Sequence, residues 1–297
     1  MLRTRLWFGC LFVALLAPVQ AHADLSQSNA RKLIQTMGGW SLPGSAVRIQ
    51  SFRSNSAEAA EVSAEIQAVF RLRSREGLWE LREIRTGPDR WERLDVIARA
   101  VGAELPQSEC DAPAQFTNIK SPSELTNKRA RCLVAELLGI QLPSDDVRIR
   151  EVSAFGLSLG AESSALVTAL VQVDFRFARE ARRWRVTEFK SGKRDWVSVA
   201  GIPAAMDQVK RTEAANELLT VAKALGDFRR DRGYFVVSKS ESVLIDHLSP
   251  RYLARVIRID PWHRPYHYEG QQDRYSLRSA GPDGKANTTD DIVVSGP

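Results

Sequence analysis

The sequence has few histidines and lacks the motifs that mark several large classes of enzyme. It has only four histidines, one of them His22 in the first 23 residues, and it has neither a G-x-S-x-G nor an H-E-x-x-H motif. The glycine-containing stretch at 156–160 has no Lys-Ser or Lys-Thr pair, so it is not a phosphate-binding loop. These absences favour a protein that is not an enzyme.

The start of the chain lacks an apolar run long enough to span a membrane. Two arginines lie within residues 1–5, an apolar run of 14 residues follows at 6–19, and Ala-His-Ala at 21–23 is a small-x-small cleavage site. A spanning helix needs ~20 residues, so we expect a cleaved secretory signal over 1–23 and no stable membrane span afterwards. Cys10 lies near the start of the run rather than at its end, which argues against a lipoprotein. An uncleaved N-terminal anchor is the alternative.

The chain also has little net charge. Its formal charge is +6, and cleavage of the signal leaves 40 of the 42 basic residues against 36 acidic ones, about +4. The densest basic stretch, 179–194, is interpreted as the solvated face of a β-hairpin. A nucleic-acid surface would need exposed aromatic residues among the cations, so no nucleic-acid partner is expected.

Cysteine is scarce in the mature chain, which contains Cys110 and Cys132. In an oxidising compartment two cysteines that are 22 positions apart can form a disulfide. The alternative is that Cys132 is a small buried hydrophobic residue on the apolar face of a helix.

The chain does contain an internal repeat. Residues 30–34 (ARKLI) recur as 130–134 (ARCLV), and Leu-Pro followed by Val-Arg-Ile within 42–49 recurs within 142–149. After a five-residue insertion the match resumes, pairing Ile66, Ala68, Phe70, Leu72, Trp79 and Trp91 with Val171, Val173, Phe175, Phe177, Trp184 and Trp196. The order of these matches indicates a duplicated module.

Each copy is predicted to be a helix followed by three antiparallel strands. The first helix starts at Ser26 and ends at Gly38-Gly39; the second starts at a capping box in 121–124 (Ser-Pro-Ser-Glu) and ends at Gly139. Period-two alternation predicts strands at 46–53, 62–74, 77–86, 146–154, 164–178 and 182–191. A helix across such a meander is similar to cystatin-like or NTF2-like folds. The predicted domains are 24–101 and 121–203, joined by a linker at 102–120.

The last third of the chain has a different pattern. A helix is predicted over 204–232, with an apolar stripe and Gly233 as its stop. Turn and strand motifs follow it, namely Asp260-Pro261-Trp262, Pro265-Tyr266-His267-Tyr268, Tyr275-Ser276-Leu277, Gly281-Pro282-Asp283-Gly284 and Thr289-Asp290-Asp291-Ile292.

These motifs resemble, in order, the C-terminal globular domain of the major pseudopilin of type II secretion systems, the protein G family. That family shows a DPWGxPYxY segment, a Tyr-x-Leu strand and a G(P)DG…DDI loop that holds calcium. The resemblance runs from about residue 206 to 294. It implies a helix packed on a small antiparallel sheet, and we place this domain at 204–297.

The aspartates of the last motifs are the candidate metal ligands. Asp283, Asp290 and Asp291 share one loop, where carboxylates repel one another unless a cation lies between them, and oxygen ligands suit Ca²⁺. The resemblance implies that Asp283 and Asp290 bind through their side chains, with backbone carbonyls near Ala280 and Ile292 completing the shell. The spacing is not that of an EF-hand, and the ion is expected to order the loop rather than to catalyse a reaction.

The start of the chain departs from the resembled family. Pseudopilins begin with a short basic leader, a Gly-Phe-type cleavage point and a long apolar helix that bears a glutamate, and this sequence has none of these. Polymerisation by the family's route is therefore not expected.

Together the patterns predict an exported α+β protein, periplasmic or secreted, that binds or scaffolds proteins, including components of the type II secretion machinery. One alternative is an enzyme or small-ligand carrier that uses a pocket in a repeat module. Another is a calcium-dependent surface adhesin.

Overall fold

A computed structural model describes residues 25–75, 78–106, 110, 124–155 and 163–297. Several predicted features lie wholly or partly outside the described residues. They are the signal, most of the linker, residues 121–123 of the capping box and the stretch at 156–160. The described chain is an α+β structure, as predicted, and contains one large and one small antiparallel sheet. Its N-terminal elements are α1 (Gln27–Gln35), β1 (Val47–Ser54), β2 (Ala59–Arg75), β3 (Leu78–Arg85), β4 (Trp91–Arg93), α2 (Leu94–Ala100), α3 (Asn127–Leu138), β5 (Val147–Phe155), β6 (Ser163–Glu180), β7 (Arg183–Ser191) and β8 (Val197–Ser198).

The two copies of the repeat share one eight-stranded sheet, in the order β4-β3-β2-β6-β7-β8, with β1 also on β2 and β5 also on β6. The long strands β2 and β6 pair antiparallel along almost their whole length, and Ile66 lies opposite Val171. These are residues that the sequence comparison aligned with each other. The two predicted copies therefore share one sheet, in which the strands of one copy continue into those of the other.

The two halves of this sheet have irregularities at matching positions. β1 shifts register between Ile49 and Ser51, and β5 shifts between Ile149 and Glu151. Each central strand also carries a shift against its C-terminal neighbour, at 71–72 and at 176–177. A bulge bends a strand and increases its twist, so both halves curve at equivalent places.

The helices α1 and α3 cover the same face of the sheet. The apolar cluster around α1 contains Phe175 and Phe177 from the second copy, and the cluster around α3 contains Phe70 and Leu72 from the first. Burial of each such side chain contributes roughly 1.5–3 kcal/mol. Each core therefore depends on strands from both copies.

Two of the predicted helix ends are observed, whereas α1 ends at Gln35, before the predicted Gly38-Gly39. The Ser26 side chain caps α1 by accepting a hydrogen bond from the Asn29 amide (3.2 Å), and Gly139 closes α3 in the left-handed conformation (φ 66°). The helix α3, however, begins after Thr126, whose hydroxyl accepts from the Arg129 amide (3.2 Å). The predicted helix start at Ser121 is therefore placed too early.

A disulfide joins Cys110 to Cys132, with Cα atoms 5.8 Å apart. It attaches the chain that follows α2 to the helix α3.

A Cys110→Ser/Cys132→Ser variant is expected to lose about 3 kcal/mol of unfolding free energy, because an unfolded chain without this crosslink regains the closure entropy of a loop of about 22 residues. Urea denaturation of the variant and of the parent, each with and without reductant, measures this loss. Equal midpoints for variant and parent would contradict it.

The interior of the sheet layer contains a small cavity of about 100 Å³ near the Ile66–Val171 pair. Its lining is almost wholly apolar, and its one hydroxyl, that of Ser191, donates a hydrogen bond to the Leu138 carbonyl (2.8 Å). This particular cavity therefore does not suit a polar ligand.

The C-terminal part consists of α4 (Ile202–Arg232), α5 (Glu241–Leu248), β9 (His267–Gly270), β10 (Tyr275–Ser279) and β11 (Ile292–Gly296). The strands form a three-stranded sheet in the order β11-β10-β9. The helix α4 ends at Gly233, as predicted (φ 84°). The core contains residues of the predicted apolar stripe, among them Leu218, Leu225 and Phe228, together with Tyr268 and Leu277 of the sheet.

No helix within the described ranges combines the length and apolar composition that crossing a membrane requires.

The helix α2 packs on α4 and joins the two parts of the molecule. Lys210 of α4 forms a salt bridge with Glu92 (2.6 Å), and Glu213 of α4 pairs with Arg93. Burial opposes the charge of Arg93, but its hydrogen bonds to Asp95 and Glu213 outweigh that effect and hold the pKa of Arg93 above its ordinary value. The interface therefore contains one ion pair that is shielded from water, Lys210–Glu92, and a second, Arg93–Glu213, that is partly exposed.

Candidate metal centre

The predicted ligands all lie in the loop that connects β10 to β11. Ser279, the last residue of β10, pairs with Ile292, the first residue of β11, so Ala280 and Ile292 mark the two ends of the loop. Asp283 follows the first turn, and Asp290 and Asp291 precede β11. The hairpin therefore brings the five predicted residues to one end of the small sheet.

The three carboxylates converge on the hydroxyl of Thr288. Its Oγ1 atom lies 2.6 Å from an oxygen of Asp290, and 3.4 Å from an oxygen of Asp283 and of Asp291. Thr288 was not among the predicted site residues. Its place in the sequence, between the Gly-Pro-Asp-Gly turn and the Asp-Asp pair, is the one signal that points to it.

Backbone amides hold the carboxylates in place. The Asp283 amide donates to Asp290 Oδ2 (3.0 Å), the Lys285 amide to Asp283 Oδ1 (2.7 Å), and the Asn287 amide to Asp291 Oδ2 (2.8 Å). The hydrogen bond from Thr288 and then that from the Asp283 amide lower the pKa of Asp290 below its ordinary value. The loop therefore keeps this carboxylate ionised.

Basic side chains neutralise the loop incompletely. Arg278 Nη1 lies 3.7 Å from Asp291, whose side chain is 7% exposed. Within the part of the chain that the structure describes, no lysine or arginine nitrogen lies within 4.0 Å of the carboxylates of Asp283 or Asp290. Two of the three carboxylates are thus without an ion-pair partner among the described residues.

The donor set fits Ca²⁺ in its chemistry, because every donor is an oxygen. The carboxylate oxygens of Asp283, Asp290 and Asp291 do not all lie within 4.8 Å of one another, as the ligand atoms of a compact metal site would. Among the described residues, the one group whose ligand atoms all lie within 4.8 Å of one another is Cys110, Cys132 and Glu136. Its cysteines share a disulfide and offer no thiolate.

Neighbouring segments fix the shape of the loop. Arg211 of α4 donates to the Asp290 carbonyl (3.1 Å), and Arg264 donates to the carbonyls of Gly281 (2.5 Å) and Pro282 (3.2 Å). Gly281 has a φ of +60°, and a Cβ atom there would lie 2.3 Å from the Asp290 carbonyl oxygen. Only glycine permits this approach between the two ends of the loop.

The Asp-Pro-Trp motif is hydrogen-bonded to the last residue of β10, directly before the loop. Asp260 is 2% exposed and accepts hydrogen bonds from the amides of Trp262 (3.0 Å) and Arg264 (2.9 Å) and from the Ser279 hydroxyl (2.6 Å). His263, at a position where the resembled family usually has glycine, adopts a φ of 65°. The turn therefore keeps the left-handed conformation that glycine adopts most easily.

The tyrosines of the next motif are core residues. The Tyr266 hydroxyl donates to Glu217 of α4 (2.7 Å), and the Tyr268 hydroxyl donates to the Val236 carbonyl (2.6 Å). Burial raises the pKa of both tyrosines, and the Glu217 carboxylate raises that of Tyr266 further. Both therefore stay protonated donors that attach the sheet to the rest of the domain.

The C-terminal part is thus a long helix packed on a small antiparallel sheet, with an aspartate-rich loop between two of the strands. The sequence model of the family "Type II secretion system (T2SS), protein G" matches residues 202–295. The predicted resemblance of the C-terminal domain is thus confirmed over about the last third of the chain. Comparisons with curated proteins and with solved structures found no match.

Proposed function

We propose that this protein is an exported, non-enzymatic binding or scaffold component that works with protein secretion machinery in the periplasm or outside the cell. The observation that carries the proposal is the match of residues 202–295 to the protein G family. That family is structural rather than catalytic, and its members act in the cell envelope. In this chain the matched domain is joined to an eight-stranded sheet, a surface large enough to hold a second partner.

We further propose that Ca²⁺ stabilises the C-terminal domain. Asp283 and Asp290 would bind the ion through their carboxylates, with Asp291 and the carbonyls near Ala280 and Ile292 as the other donors. The bound ion would supply positive charge that offsets carboxylate repulsion. The support is the convergence of the three carboxylates on one hydroxyl and the lack of described ion pairs for two of them.

We also infer that the large sheet arose by duplication, with repeats at 24–101 and 121–203, a linker at 102–120 and the pseudopilin-like domain at 204–297. The support is the matching element order and the matching bulges of the two halves. Pairing of β2 with β6 gives the repeats the geometry of a dimer within one chain.

A binding measurement with purified proteins tests the secretion role. The mature chain is immobilised, and the soluble domains of the major pseudopilin and of the minor pseudopilins from the same cells are passed over it in the presence of Ca²⁺. We expect one of them to bind with a Kd on the order of 1–100 μM, the range of transient assembly contacts. Binding that is equal for residues 204–297 alone would assign the contact to the matched domain. Absence of binding to every pseudopilin would contradict the proposal.

A further inference from the structure

A second concave site lies where the large sheet meets the C-terminal domain. This junction cleft has a volume of about 290 Å³ and lies between the segment after α1, the start of α4 and the turn at 260–264. Its lining combines residues of the matched segment 202–295 with Gly38, Gly39, Trp40, Arg90 and Glu92 from the N-terminal part of the chain. Pockets between domains are common ligand sites, and this volume is at the small end of their range.

Two tryptophans from distant parts of the chain line the cleft. Trp40 comes from the segment that follows α1, and Trp262 comes from the Asp-Pro-Trp turn; both side chains are half-buried. Trp262 is fixed in orientation because its ring nitrogen donates to Asp207 of α4 (3.0 Å). The indoles give the cleft large, flat apolar surfaces next to polar groups.

The cationic side chains of the cleft already have hydrogen-bond or ion-pair partners within the protein. Lys210 is 5% exposed and pairs with Glu92, and Arg90 donates to the Gly39 carbonyl. Arg264 donates to the carbonyls of Gly281 and Pro282, in the aspartate loop between β10 and β11. A phosphate or carboxylate ligand would also approach the carboxylates of Glu92 and Asp207. The cleft is therefore better suited to a neutral ligand than to an anion.

We propose that the junction cleft binds a neutral carbohydrate. A pyranose ring has an apolar face of C–H groups, which packs on an indole, and hydroxyls around its rim that both donate and accept hydrogen bonds. The Asp207 carboxylate can accept from such hydroxyls, and the N–H groups of Arg90 and Arg264 can donate to them. The volume of the cleft accommodates roughly one or two sugar rings.

Isothermal titration calorimetry on the full mature chain tests this site. The probes are maltohexaose, cellohexaose and the hexamer of N-acetylglucosamine, three neutral oligosaccharides that differ in linkage and substituents. We expect at least one to bind with a Kd on the order of 0.1–1 mM, the range of a small polar ligand in an open cleft. Dextran sulfate serves as an anionic probe.

Two variants test whether the oligosaccharide binds in the junction cleft. Asp207→Ala removes an acceptor and Trp40→Ala removes an aromatic surface, and each is expected to weaken binding about tenfold or more. Asp227→Ala is the matched control, because it removes a half-buried aspartate of the same helix outside the cleft and should leave the Kd within about twofold. Thermal melting checks that each variant is folded, and Asp207→Ala decides the question if Trp40→Ala does not fold.

Three outcomes would overturn the proposal. The first is that none of the neutral oligosaccharides binds. The second is that one binds but Asp207→Ala weakens it no more than Asp227→Ala does. The third is that dextran sulfate alone binds, which would assign the affinity to surface charge rather than to the cleft.

Discussion

Chelation of calcium is expected to lower the melting temperature of the C-terminal domain by roughly 10 °C or more. An ion present at about 100 times its Kd stabilises the folded state by about 2.7 kcal/mol, and a domain of this size shifts by about 4–8 °C per kcal/mol. The reason is that, among the described residues, Asp283 and Asp290 have no ion pair within 4.0 Å, while an oxygen of each lies close to the Thr288 hydroxyl. Differential scanning calorimetry with EGTA, followed by added Ca²⁺, measures the shift and its reversal.

The variant Asp283→Ala/Asp290→Ala should abolish the response to both reagents. Its matched control is Glu269→Ala/Asp273→Ala, which removes two exposed acids from the hairpin β9–β10 of the same small sheet and should respond to Ca²⁺ like the parent. Mg²⁺ should stabilise the parent less than Ca²⁺, because it demands near-ideal octahedral geometry and gives up water reluctantly. A parent that melts at one temperature in EGTA and in Ca²⁺ would rule the site out.

Local patterns were sufficient to predict most of the elements. The alternation of apolar residues located the long strands β2 and β6 to within a few residues, because a sheet with one covered face requires a period of two. Glycines at 139 and 233 ended helices in the left-handed conformation, as their chemistry predicts. The aspartate loop was also predictable, since its donors are close together in sequence.

The pairing of the two copies could not be read from those patterns. Alternation shows which face of a strand is buried, but it does not show which strand lies beside it. The sequence alignment indicated that Ile66 and Val171 occupy equivalent positions in the two copies. The structure shows in addition that they lie opposite each other on the paired strands β2 and β6. The start of α3 was misplaced for a related reason, since Ser121 and Thr126 are both acceptable caps and tertiary packing selects between them.

Contacts between distant segments were likewise beyond sequence reasoning. Arg211 reaches the Asp290 carbonyl across 79 positions, and Lys210, the residue before it, reaches Glu92 across 118 positions. Neighbouring residues of α4 therefore contact the candidate metal centre and the large sheet. A basic pair in an amphipathic helix is normally solvated, so no sequence pattern assigns these two residues a role.

Removing the charge of Lys210 is expected to destabilise the protein strongly. The side chains of Lys210 and Glu92 are 7% and 14% exposed, so Lys210→Met leaves a carboxylate in a largely dry interface without its cation. Loss of one member of a buried pair costs about 3–5 kcal/mol. The urea midpoint, followed by circular dichroism, measures this cost.

The double variant Lys210→Met/Glu92→Leu separates the cost of an uncompensated charge from the value of the pair itself. Replacement of both members by apolar residues of similar size is often neutral, so the double variant should recover most of the stability that Lys210→Met loses. Arg230→Met is the matched control on the same helix. It breaks an exposed pair with Asp227 (3.0 Å) and should cost less than about 1 kcal/mol. If Lys210→Met cost no more than Arg230→Met, the junction between α4 and the large sheet would be open to water, and the dry interface inferred from the burial of this pair would be wrong.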